Sequence, residues 1–209
     1  SVEKGGATHK VLLNTGETIE TRTLIVASGA KWRELGIPGE KENIGNGVAF
    51  CPHCDGPFFK DKDIAVIGGG NSGVEAALDL AGIVKSVTVL EFMPELKADK
   101  VLVEQLGKRD NIRVITSAAA QAIDTENGKV SSLRYTDRTT DTAQALTLQG
   151  IFVQIGLVPN SDFLGDAVER TRFGEIVINA KGETSTPGIF AAGDVTTVPY
   201  KQIIVAMGE

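Results

Sequence analysis

Hydrophobic residues along the chain fall into short blocks closed by turn-forming residues, and the spacing inside each block sets the element it predicts. His9-Lys10-Val11-Leu12-Leu13, the turn Asn14-Thr15-Gly16-Glu17 and an extended stretch into Leu24-Ile25-Val26-Ala27-Ser28-Gly29 predict a hairpin whose second strand ends in small residues. Leu35-Gly36-Ile37-Pro38-Gly39-Glu40 is a Gly/Pro link that breaks helix and strand alike, which makes it the best candidate for a domain boundary. Val48-Ala49-Phe50 predicts a short strand and Ile64-Ala65-Val66-Ile67 a buried one. Residues 71–83 carry Val74, Ala77, Leu78 and Ala81 at helical spacing, and Val87-Thr88-Val89-Leu90 is the next buried strand. Strand, helix and strand in that order make a βαβ unit.

Farther on, residues 112–115, 118–123, 130–135 and 143–148 read as short strands of a smaller antiparallel insertion, and Ile151-Phe152-Val153-Gln154-Ile155-Gly156 closes the parallel-sheet domain. Ile189-Phe190-Ala191-Ala192 is a strand of small residues ended by Gly193-Asp194, and residues 201–209 look helical without a cap. The pattern predicts an α/β fold of three-layer, nucleotide-binding (Rossmann-like) domains.

Composition narrows the class. Over 209 residues, 42% apolar content is enough for a core and excludes disorder, and 24 glycines with 5% aromatics fit a glycine-turned α/β protein. The formal charge of −6 comes from 21 Lys+Arg against 27 Asp+Glu, with no basic cluster to displace counterions, so nucleic acid is not an expected partner. No apolar run approaches the roughly 20 residues that span a bilayer. Ser1-Val2-Glu3-Lys4-Gly5 lacks the apolar core of an export signal, so the expectation is a soluble cytoplasmic protein.

The strongest motif is Gly68-Gly69-Gly70-Asn71-Ser72-Gly73, a G-x-G-x-x-G directly after a buried strand and opening a helix. Gly68 permits the tight turn, Gly70 lets backbone approach a pyrophosphate, and Gly73 lets helix and strand pack closely. Asn71 and Ser72 start the helix, whose free N–H groups favour an anion. No Lys-Ser/Thr follows, so this is not a Walker A loop. Glu91, 18 residues after Gly73, ends the next strand near the position where a carboxylate meets the adenosine ribose. A carboxylate there accepts from a 2′-OH and repels a 2′-phosphate, and residues 92–96 hold no arginine, which favours NADH over NADPH. A solvated acid at a strand end is the plain alternative.

The only cysteines form Cys51-Pro52-His53-Cys54, a spacing that lets two sulfurs cycle between dithiol and disulfide. A structural zinc site needs about four ligands, and with His9 far off the chain offers too few, so no metal is expected. A thioredoxin fold would need its own domain, whereas a dinucleotide-binding strand starts ten residues after Cys54. Asp55 follows the pair and is either a proton donor and acceptor to a thiol or the cap of a short helix. His53 reads as a modulator of the thiols or a surface residue. A nicotinamide hydride normally reaches a disulfide through a flavin, and Gly193-Asp194 is the kind of strand end where a carboxylate holds a ribityl hydroxyl, or simply a turn.

Together, Cys-Pro-His-Cys-Asp-Gly-Pro at 51–57, Gly-Gly-Gly-Asn-Ser-Gly-Val-Glu-Ala-Ala at 68–77, Leu90-Glu91-Phe92, the run from Gly150 into Gly156, Gly193-Asp194 and Val198-Pro199-Tyr200-Lys201-Gln202-Ile203-Ile204 carry a resemblance. The chain resembles the thioredoxin-reductase-like (class II) pyridine nucleotide-disulfide oxidoreductases, and within them the branch that serves peroxide reduction. Ordinary thioredoxin reductases carry Ala-Thr between the cysteines and basic residues after the second strand of the NADP site. This chain has neither, so thioredoxin reductase is the alternative function.

The resemblance implies that electrons pass from NADH through FAD to a Cys51–Cys54 disulfide, then to a thioredoxin-like domain and a peroxiredoxin. Cys54 would face the flavin, Cys51 would exchange with the next disulfide, and Asp55 would be the acid/base. Ala27, Ser28, Gly29, Ala30, Gly193, Asp194, Lys201, Gln202 and Ile203 correspond to flavin-contacting segments, and Gly156 joins the nucleotide-contacting positions. One continuous NAD(H)-binding domain, 47–157, would then sit within a discontinuous FAD domain, 1–46 and 158–209. The domains would rotate about Pro38-Gly39 and residues 156–160 in a homodimer. The family opens its flavin domain with a first G-x-G-x-x-G, whereas this chain has one such motif and Gly45-Asn46-Gly47 does not supply another. The chain therefore reads as part of a longer enzyme with half a flavin site; the alternative for the chain alone is a nucleotide-binding module without turnover.

Overall fold

Five parallel strands hold the loops that carry the chemistry, in the order Val48–Ala49, Gly150–Val153, Asp63–Ile67, Ser86–Leu90 and Ile112–Ile115. They belong to a computed structural model that describes residues 1–209. The central strands are nearly unbroken runs of Val, Ile and Ala because both faces of the sheet are covered, the condition under which all-parallel sheets form. On one face Ile64, Val66, Val87, Val89 and Phe152 pack against Val74, Ala77 and Leu80 of the helix Asn71–Leu80. On the other, Ala65, Ile67, Leu90, Ile151 and Val153 meet Ile123, Val130, Leu133 and Tyr135 of an antiparallel meander, Ala118–Glu126, Lys129–Asp137 and Thr142–Thr147. Helix, parallel sheet and meander are the three layers that the hydrophobic pattern predicts.

Two expectations need correction here. Ile112–Ile115 is not part of the antiparallel insertion: it pairs in parallel with Ser86–Leu90, and the meander starts only after Ser117, whose φ of +53° turns the chain. A helix at Lys100–Leu106 was not expected. It is only seven residues long, and its burial rests on Leu106 with Leu102 packed beside it.

The chain divides into two compact units, Trp32–Gly156 and Ser1–Lys31 with Leu157–Glu209. By compactness the first division falls at 31/32, ahead of the Gly/Pro link and of 46/47. Leu35 and Ile37 pack on the Trp32–Gly156 core, and Ile123 N–H donates to Pro38 O at 2.9 Å. Glu40 is fully buried and accepts from Leu35 N at 2.8 Å and Gly36 N at 2.7 Å. Link composition marks a break in regular structure, and here that break is fastened to the core.

The other unit contains a small antiparallel sheet, Val2–Glu3, His9–Leu12 and Thr18–Thr21, and a core of Val26, Leu164, Val168, Ile176, Ile189 and Val195. The predicted second hairpin strand is two elements. Thr21 Oγ1 donates to Thr23 O at 2.7 Å and turns the chain, after which Leu24–Val26 pairs in parallel with Ile189–Ala191. The terminal helix spans Ile203–Gly208, and none of its residues is buried.

Candidate functional site

Cys51 and Cys54 are joined by a disulfide at the start of the four-residue helix Pro52–Asp55. Cys51 is the helix N-cap with an extended backbone, and Pro52 suits the first helical position, where no N–H partner is needed. The N–H of Cys54 donates to Cys51 Sγ at 3.2 Å. That donor and the helix start would stabilise a thiolate on Cys51 once the pair is reduced. Cys54 lies on the more exposed side, whereas Cys51 and Asp55 are half-buried. Asp55 does not cap the helix, since its side chain makes no capping bond and the cap is Cys51. The exposed His53 places Nε2 3.6 Å from Asp79 Oδ2 on the helix that follows the glycine loop.

The glycine loop is shaped by contacts that admit no side chain. Gly68 has φ +118°, and a Cβ on Gly73 would fall 1.9 Å from Gly68 O. Nothing lies within 4 Å of where a Gly70 Cβ would stand, so a cofactor phosphate has room against that backbone. Glu91 reaches back to this loop from its strand end: Gly69 N–H donates to Oε2 at 2.5 Å and Met93 N–H to Oε1 at 2.7 Å. Asn71 and Asp99 exchange a side-chain bond at 3.0 Å and an Asp99 N–H bond at 2.8 Å. Lys97 N–H donates to Gly69 O at 2.8 Å. The loop and the segment after Glu91 are thus laced together, and the cradle has the features a dinucleotide needs: open backbone at Gly70 and a helix start at Asn71 and Ser72 suited to a pyrophosphate, and a carboxylate at Glu91 suited to ribose hydroxyls.

A cavity of about 510 Å³ in this unit is lined by Ser72 and Glu75 of the helix after the glycine loop and by Pro52, His53 and Gln154 near the disulfide. Buried Gln154 donates to Phe50 O at 2.6 Å, just before Cys51. Gly156 follows with φ +95°. Among all residues, no cluster of three His, Cys, Asp or Glu side chains could hold a metal ion.

In the other unit, the parallel pair places Ala27, Ser28, Gly29 and Ala30 beside Gly193 and Asp194, with Ala192 N–H donating to Val26 O at 3.0 Å. Carboxyl ends of neighbouring parallel strands are where nucleotide ligands bind in open α/β sheets. Ser28 Oγ donates to Asn160 O at 2.6 Å, and Gly193 N–H donates to Glu209 Oε2 at 2.6 Å. These segments fit one side of a flavin, and no glycine-rich pyrophosphate loop accompanies them. Lys201 donates to Thr196 O and lies 3.2 Å from Glu175 Oε1, and Thr196 Oγ1 in turn donates to Gly193 O at 2.8 Å. Gln202 caps the last helix without a side-chain bond, and Ile203 is exposed.

Sequence reading missed Glu40, Asp99, Gln154 and Arg138. Asp99 and Gln154 act through partners more than 25 residues away, which no local pattern reports. Arg138, 46 residues after Phe92, stacks on that ring with its guanidinium carbon 3.8 Å from the centroid.

Comparison with known proteins agrees with this geometry. Residues 2–209 match the family described as Pyridine nucleotide-disulphide oxidoreductase. The chain is 57% identical over 204 residues to a subunit of alkyl hydroperoxide reductase in Pseudomonas putida, covering 98% of this chain and 39% of that protein. It is 56% identical over 200 residues to a protein named NADH dehydrogenase from Ferdinandcohnia aciditolerans, covering 96% of this chain and 38% of the other. Thioredoxin reductase of Lactococcus lactis superposes with a TM-score of 0.82 at 34% identity, covering 99% of this chain and 68% of that one. The chain spans about two-fifths of the length of the relatives it matches.

Proposed function

The chain belongs to the pyridine nucleotide-disulphide oxidoreductase family, and we propose that it is the NADH-binding, disulfide-bearing part of an FAD-linked disulfide reductase that supplies a peroxide-reducing system. One observation carries this reading: a single compact unit, Trp32–Gly156, holds both a dinucleotide cradle and the Cys51–Cys54 disulfide. The alkyl hydroperoxide reductase name carried by a relative at 57% identity supports the peroxide branch, with a thioredoxin-like domain and a peroxiredoxin as acceptors.

When bound, nicotinamide supplies a hydride, and a flavin relays its two electrons to a disulfide. Two electrons and two protons turn the S–S bond into two thiols, one proton coming with the hydride and one from Asp55 or solvent. The chain's own residues do the rest. Gly68 to Gly73 hold the pyrophosphate, Glu91 holds the ribose, and Gly156 shapes the nearby turn. Cys54, the more exposed residue of the pair, receives the electrons. Cys51 leaves as a thiolate under the Cys54 N–H and then exchanges with the acceptor disulfide. Ala27 to Ala30, Gly193, Asp194 and the Lys201-Gln202-Ile203 stretch are this chain's share of the flavin site; the remainder would come from residues beyond these 209.

No helix is long and apolar enough to cross a membrane. A cytoplasmic homodimer without nucleic-acid or metal partners is part of the same proposal. The test is NADH-dependent reduction of a thioredoxin-like disulfide protein by the FAD-loaded full-length enzyme. Cys54→Ser should abolish it, and unchanged turnover would overturn the reading. A chain that binds NADH but shows no flavin band that bleaches on anaerobic NADH addition would be a nucleotide-binding module alone.

A further inference from the structure

Arg138 stands at the turn that ends Lys129–Asp137 of the meander, far in sequence from the glycine loop but tied to it in space. Its N–H donates to Ser117 O at 2.8 Å, Ser117 N–H donates to Met93 O at 2.9 Å, and Ala118 N–H donates to Glu91 O at 2.9 Å. Its guanidinium lies on the Phe92 ring, and Nη1 donates to Phe92 O at 2.6 Å. The cation is thereby held at the residue next to Glu91, the carboxylate proposed to receive the ribose. Arg138 takes part in no ion pair, whereas Lys97 on the same segment is paired with Glu95 at 2.5 Å.

We propose that Arg138 is a latent 2′-phosphate-binding group: an arginine stacked on Phe92 that would hold a 2′-phosphate if the Glu91 carboxylate, which keeps this site selective for NADH, were neutralised. The proposal rests on the reading of Gly68 to Gly73 and Glu91 as a nicotinamide dinucleotide site. The chemistry is asymmetric. A 2′-OH needs only an acceptor, which Glu91 provides. A 2′-phosphate needs charge-assisted donors, and the guanidinium has Nε and Nη2 uncommitted once Nη1 is bound to Phe92 O. Stacking on Phe92 removes much of the side chain's freedom beforehand, so less order is lost when an anion arrives. No added arginine is then required to turn the site toward NADPH, although residues 92–96 contain none.

The test is equilibrium binding of NADH and NADPH at low salt, followed by nucleotide fluorescence, to the chain and to Glu91→Gln, Arg138→Ala and the double variant, with circular dichroism as a check on folding. Gln keeps one carbonyl for Gly69 N–H. The unmodified chain should bind NADH at least about tenfold more tightly than NADPH. Glu91→Gln should tighten NADPH about tenfold, and Arg138→Ala on that background should remove most of the gain, while Arg138→Lys keeps part of it. Arg138→Ala alone should change NADH affinity by less than about threefold. A double variant that retains the full NADPH gain, or an Arg138→Ala chain weakened equally toward both cofactors, would overturn the proposal. So would equal affinity of the unmodified chain for NADH and NADPH. Failure of the unmodified chain to bind either nucleotide would remove the underlying site and the proposal with it.

Discussion

The carboxylate of Glu91 lies 2.5 Å from the amide nitrogen of Gly69, so the acidic strand end is joined to the glycine loop. With Met93 N–H on the other oxygen, both carboxylate positions are set. A dinucleotide then meets an oriented acceptor, and little ordering is left for binding to drive.

The loop that Glu91 grips depends on Gly73. A Cβ there meets Gly68 O at 1.9 Å, a backbone atom that cannot swing away. Gly73→Ala should destabilise the protein by about 1–3 kcal/mol through overpacking and weaken NADH binding at least about tenfold, seen as a lower urea midpoint and in nucleotide titration. An unchanged midpoint would contradict the packing described.

Glu40 should matter as much to stability without touching any proposed ligand. It is wholly buried and satisfied by two backbone N–H groups. Glu40→Ala leaves both donors unsatisfied and should cost about 2–4 kcal/mol. Chemical denaturation of the variant is the check, with a loss under about 0.5 kcal/mol as the adverse result.

The sulfurs should differ once reduced. Cys51 receives the Cys54 N–H and sits at the helix start, so in Cys54→Ser the remaining Cys51 should react with iodoacetamide at neutral pH several-fold faster than Cys54 does in Cys51→Ser. Equal rates, or the reverse order, would remove the basis for assigning Cys51 the exchanging role.

Asp63 opens a central strand and accepts from Lys85 Nζ at 2.8 Å and Ser86 Oγ at 2.6 Å. The Lys85 bond first, and Ser86 with it, holds its carboxyl below the usual range. A depressed folded value means that the bond stabilises the protein above the ordinary carboxylate pKa of about 3.9, and this stabilisation is lost as pH falls through the folded value. Asp63→Asn should therefore lower stability by about 0.2–1 kcal/mol at pH 7 and converge with the parent in strong acid. A constant difference in urea melts from pH 7 to acid would contradict this.

Much of this was legible in the sequence because it is written locally. Ile64 to Ile67, the glycines and the helical spacing of Val74, Ala77 and Leu78 sit side by side, and the resulting βαβ unit lies where the pattern puts it. The spacing of Cys51 and Cys54 allowed a redox pair, and the resemblance implied the disulfide that joins them. What was not legible depends on remote partners. Leu35 and Ile37 resemble a linker until the meander covers them, Ile112–Ile115 resembles its antiparallel successors until register assigns it, and Arg138 becomes relevant only when the meander turn meets Phe92. The helix Lys100–Leu106 is too short for its period to stand out.

The central claim is that electrons from NADH pass through Cys51 and Cys54. It is tested most directly by alkylation and peptide mass mapping of the FAD-loaded full-length enzyme, before and after excess NADH without oxygen. The account predicts that both cysteines become alkylated after NADH and that Gly73→Ala prevents it. A flavin that bleaches while Cys51 and Cys54 stay joined would contradict it.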